Sequence, residues 1–80
     1  VFKYSFLAQD EFKIAMPVGA KIIMADYQVG SGRCIWALVN PKAVLVKRTF
    51  YLRGTGQEVD ESLHHIASFQ EPPFIWHLFE

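Results

Sequence analysis

Eighty residues, 51% of them apolar and 15% aromatic, suffice for one hydrophobic core and are too few for two, so a single domain over residues 1–80 is expected. Eight basic residues balance eight acidic ones, which excludes the global field that draws a protein to nucleic acid or an anionic membrane. The lone Cys34 excludes an internal disulfide and fits a reducing, cytoplasmic setting.

Apolar residues alternate with period two between Gly, Pro and Asn punctuation, which predicts strands throughout. The first runs from Val1 to Phe6. In the second, Phe12, Ile14 and Met16 alternate with Lys13 and Ala15, and Pro17 is expected to end it. The third covers Lys21 to Val29. Gly30-Ser31-Gly32 supplies the positive φ angles of a tight hairpin into a fourth, Arg33 to Val39. With Cys34, Trp36 and Leu38 on one face and Ile35, Ala37 and Val39 on the other, that strand is apolar on both sides and belongs at the centre of a sheet.

Asn40-Pro41 breaks the pattern, and residues 41–46 read as a connection whose apolar end extends into a fifth strand, Lys47 to Arg53. Gly54-Thr55-Gly56 closes it. The acidic stretch Glu58 to Ser62 is the best candidate for a longer loop, with room for one helical turn. A sixth strand is expected over Leu63 to Gln70, a stiff extended corner at Pro72-Pro73, and a seventh strand over Phe74 to Phe79. About seven short antiparallel strands predict an all-β domain, a small sandwich or a partly open barrel. No apolar run approaches the roughly 18 residues of a membrane-spanning helix.

The chemistry-bearing patterns are sparse. Gly54-Thr55-Gly56 could form a backbone nest for an anion, but neither the Walker pattern nor the dinucleotide fingerprint is present. His64, His65 and His77 are the candidate metal ligands; adjacent strand residues point to opposite faces, so His64 and His65 cannot share an ion without a bulge. Cys34, mid-strand among apolar neighbours, reads as an inert buried thiol. The segment from Lys47 to Arg53 interleaves aromatic and basic residues as sheets that hold single-stranded nucleic acid or isolated nucleotides do, with Lys47, Thr49, Tyr51 and Arg53 on one face and Arg48, Phe50 and Leu52 on the other. No nucleophile, acid–base pair, metal cluster or cofactor loop stands out, so a non-enzymatic protein without cofactor or metal is expected.

Across nearly its whole length the chain resembles a family of small uncharacterised proteins of bacteriophages and prophages. The resemblance rests on Lys3-Tyr4, Met16-Pro17-Val18-Gly19-Ala20-Lys21-Ile22-Ile23, Cys34-Ile35-Trp36-Ala37-Leu38-Val39, Gly54-Thr55-Gly56 and Trp76-His77-Leu78-Phe79-Glu80. Gln57 stands where members of that family often carry histidine. The resemblance implies phage origin and action inside a bacterial host; it implies no activity and no catalytic residue.

Three functions are expected from these residues and this resemblance. The leading one is a homo-oligomeric phage accessory protein that binds and modulates a host protein, with Trp36, Tyr51, Trp76 and Phe79 as aromatic anchors. A second is a homo-oligomeric sponge that holds a nucleotide signal at a subunit boundary, with Arg48, Arg53 and the Gly54-Thr55-Gly56 turn on phosphate and an aromatic ring on the base. His77 is a further candidate for binding a ligand or partner. A third is a minor structural component of the virion.

Overall fold

The computed structural model describes residues 1–80 and contains seven strands and no helix. These are β1 (Phe2–Phe6), β2 (Glu11–Pro17), β3 (Lys21–Gln28), β4 (Gly32–Leu38), β5 (Leu45–Gly54), β6 (His65–Glu71) and β7 (Phe74–Phe79). They form two antiparallel sheets, one of order β1-β4-β3 and one of order β2-β5-β7-β6, which face each other without closing into a barrel. The architecture is therefore a small open sandwich, with β4 central in the three-stranded sheet as its two apolar faces require.

Between the sheets lies one core built from Phe6, Phe12, Met16, Ile35, Ala37, Phe50, Leu52, Phe69 and Leu78 among others. Phe6 of one sheet stacks on Phe12 of the other with ring centroids 4.6 Å apart, and Phe12 in turn stacks on Phe50. Each of these residues occupies the inward position of an alternating strand, so period two in the sequence becomes a continuous apolar layer. The β3–β4 hairpin is closed by the Ser31 amide donating to the Gln28 carbonyl at 3.0 Å, with Gly30 and Gly32 at φ of 90° and 78°. A side chain at either position would be strained, which is why the sequence places glycine there.

Pro17 ends β2 as expected, standing as its last residue opposite Leu45, and the apolar end of the 41–46 connection extends the fifth strand, so that β5 begins at Leu45. Sheet edges tolerate proline, and β2 is an edge strand. The ladder of β6 starts at His65, although His64 still exchanges two backbone bonds with Glu80. The Glu58 to Ser62 stretch holds no helical turn; Asp60 closes a turn by accepting from the Ser62 and Leu63 amides. Pro72-Pro73, expected as an extended corner, makes the tight turn between β6 and β7 with a cis peptide bond.

Two β-bulges re-aim side chains. The register of β3 against β4 shifts between Ile22 and Met24, and that of β6 against β7 shifts between His65 and Ala67. Each inserts one residue and inverts the facing of the strand beyond it.

Candidate functional site

The nine residues singled out from the sequence divide between the outer faces of the two sheets and the core side. Trp36 sits half-buried on the outer face of the three-stranded sheet, opposite Lys3 on one side and Met24 on the other. The bulge in β3 leaves both Ile23 and Met24 on the surface, each 48% exposed, and Leu38 is 49% exposed beside them. Lys3, Lys21 and Asp26 share the paired positions of that face, so an apolar centre has a charged rim. On the same face Cys34, opposite Asp26, is fully buried, its sulfhydryl within reach of the Ser31 and Gly32 carbonyls.

Arg48 and Trp76 point toward the core. Arg48 donates from Nε and Nη2 to the two Glu80 carboxylate oxygens, both at 2.6 Å, and from Nη1 to the Ala20 carbonyl at 2.5 Å. Glu80's hydrogen bond, reinforced by its charge, holds the Arg48 guanidinium above its ordinary pKa against the opposing effect of burial. Trp76 packs against the core and its indole N–H donates to Glu71 at 2.9 Å. Glu71 also receives Arg33 from the other sheet, Nη2 to Oε2 at 3.0 Å. Arg48 and Arg53 thus stand on opposite faces of β5, and the structure does not bring them to a common ligand.

On the outer face of the four-stranded sheet, Tyr51, Arg53, Thr55 and His77 do converge. Cross-strand pairing lays two rows across β5, β7 and β6: Arg53 opposite His77 opposite Ser68, and, one step along the strands, Tyr51 opposite Phe79 opposite His65. The first row is polar and the second aromatic. Thr55 Oγ1 lies 3.0 Å from His77 Nε2, His77 Nδ1 lies 2.7 Å from Ser68 Oγ, and Ser68 Oγ lies 2.8 Å from His65 Nε2. The guanidinium of Arg53 rests over the Tyr51 ring, 5.7 Å from its centroid, and its Nη1 is anchored on the Asp10 and Leu52 carbonyls. Unlike Arg33 and Arg48, Arg53 has no carboxylate partner.

Gly54-Thr55-Gly56 is a turn in which Gly56 takes a φ of 93° and the Gln57 amide donates to the Gly54 carbonyl at 3.1 Å. The Gly54 amide, which an anion nest would need, donates instead to the Gln57 side chain at 2.5 Å. What the turn contributes to the outer face is the Thr55 hydroxyl.

Ser68 and the placement of His65 beside it are not predictable from alternation, for a definite reason. Three residues apart, they fall on opposite faces of a regular strand; the bulge at Ile66 puts them on one face. His64, by contrast, lies outside the cluster. No group of three or more His, Cys, Asp or Glu side chains is gathered as for a metal ion.

A family model described as a domain of unknown function (DUF7352) matches residues 1–80. No curated protein and no solved structure matches the chain.

Proposed function

The chain belongs to the DUF7352 family over residues 1–80, and we propose that it is a non-enzymatic phage accessory protein that binds a host protein through the outer face of its three-stranded sheet. The carrying observation is the apolar centre of that face, Trp36 flanked by Ile23, Met24 and Leu38, left uncovered by any element of the chain. Exposed apolar surface with a charged rim is the composition of a protein-binding patch, and a half-buried Trp at its middle is the residue type that anchors such interfaces.

The size of the domain supports the reading. Only 13 of 80 residues are buried, and the accessible surface is 5283 Å² where a compact monomer of this mass exposes about 4,900 Å². Lys3 and Lys21 at the rim favour a partner whose apolar patch is bordered by carboxylates.

A photo-crosslinking side chain placed at Met24 tests this in bacteria that express the protein. One host protein is expected to crosslink from position 24 and not from Lys13, which lies on the other sheet. Equal capture from both positions, or none from position 24, overturns the proposal.

A further inference from the structure

We propose that the outer face of the four-stranded sheet binds a nucleoside phosphate, with the phosphate on the Arg53 row and the base on the Tyr51 row. The inference is independent of the host-protein reading, which concerns the other sheet.

The polar row is built to receive an anion. Arg53 uses only Nη1 within the chain, on the Asp10 and Leu52 carbonyls, so Nε and Nη2 remain as donors, held in place by that anchor and by the Tyr51 ring. His77 lies directly opposite Arg53, and Ser68 directly opposite His77. The linked side chains Thr55, His77, Ser68 and His65 carry four polar hydrogens when both imidazoles are neutral, and the three contacts among them consume three. With both imidazoles neutral, one hydrogen is therefore left outside these three contacts, on Thr55 Oγ1, Ser68 Oγ or His65 Nδ1. An arriving phosphate oxygen can take it without breaking the network.

The aromatic row fixes what else the ligand carries. Residues two apart on a strand stand about 6.6 Å from each other on one face, and neighbouring strands about 4.8 Å. Tyr51 and Phe79 are thus placed roughly one ribose away from Arg53 and His77, and offer ring surface to a base. His65 closes the row edge-on against Phe79, with centroids 5.4 Å apart. Lys13 and Lys47 add positive charge on the same face, and Glu11, opposite Tyr51, is the one acid in its paired positions.

The probe is adenosine 5′-monophosphate, titrated into ¹⁵N-labelled protein alongside adenosine and inorganic phosphate as separate ligands. The monophosphate is expected to shift the amides of Tyr51, Arg53, Ser68, His77 and Phe79, and to bind at least tenfold more tightly than adenosine or phosphate alone. Arg53→Ala and Ser68→Ala should each weaken it tenfold or more, while Trp36→Ala leaves it unchanged; two variants guard against one that misfolds, and dispersed amide spectra verify the fold. Shifts that map elsewhere, or binding that survives both variants, overturn the site. Binding of a single-stranded oligothymidine through the same residues, with the monophosphate silent, overturns the nucleotide-sized ligand.

Discussion

Arg48 of β5 and Glu80, the residue following β7, grip each other by two parallel hydrogen bonds of 2.6 Å, and the third branch of the guanidinium holds the Ala20 carbonyl at the entrance to β3. Three segments far apart in sequence meet at one side chain.

Removing that side chain leaves a carboxylate and a carbonyl without their donor. Charged hydrogen bonds of this kind contribute about 1.5–3 kcal/mol, and the pair is partly exposed, so the low end applies. Arg48→Ala is expected to lower stability by about 1.5–2 kcal/mol, or roughly 6–16 °C in Tm, by thermal unfolding. Arg53→Ala, on the outer face, should cost less than half of that. A larger loss from Arg53→Ala would contradict the assignment of Arg48 to structure and Arg53 to the surface.

The stack of Phe6 on Phe12 joins the two sheets at the core. Phe12→Ala removes a ring that also stacks on Phe50, and truncations of this type cost about 3–5 kcal/mol. In a domain this small that approaches the whole margin of stability, so loss of cooperative unfolding is expected in calorimetry. A variant that still melts within a few degrees of the parent would show that the sheets are held elsewhere.

Self-association is expected through β5. Its pairing with β7 covers Tyr51 to Gly54 alone, so Leu45 to Thr49 have β2 on one side and an open edge on the other, with Val44 and Leu45 exposed. The amides of Val18 and Leu52 reach across to the Val44 and Asp10 carbonyls, which by the alternation of antiparallel ladders directs the Lys47 amide to the open edge. Lys47→Pro therefore removes no bond within the chain, yet blocks strand addition. Light scattering should show an oligomer for the parent and a folded monomer for Lys47→Pro; a parent that stays monomeric at high concentration sinks this expectation.

Asp60 caps the turn after the Glu58 region. The Ser62 amide donates to its carboxylate at 2.9 Å, and that bond, with a lesser one from the Ser62 side chain, lowers the Asp60 pKa below the ordinary aspartate value. A depressed carboxylate favours the folded turn above its unfolded pKa and loses that contribution as pH falls through the folded one. The Ser62 amide resonance should accordingly titrate with a midpoint below the ordinary aspartate value. A midpoint at or above that value would mean that the bond is not formed in solution.

Much of this fold is legible in the sequence because it is written locally. Gly30 and Gly32 mark a hairpin, and the double-sided apolar run through Ile35 and Trp36 marks a central strand. The pairing of Arg48 with Glu80 and of Arg33 with Glu71 is not legible, since it depends on which strands become neighbours. The outer face of the four-stranded sheet lies on the boundary between the two cases. Arg53, Tyr51 and His77 share that face by simple alternation, but Ser68 and His65 join them only through the bulge at Ile66, and Arg48 departs to the core. Period two breaks at each bulge, and the residues beyond it change sides.

Docking of a host protein on the three-stranded sheet is tested most directly by native mass spectrometry of the protein purified under gentle conditions from bacteria that express it. A discrete complex of the chain with one host protein in fixed stoichiometry is expected, abolished by Met24→Lys on the three-stranded face and retained by Arg53→Ala on the other. A chain that emerges without any host protein, or a complex indifferent to Met24→Lys, would contradict the proposed function.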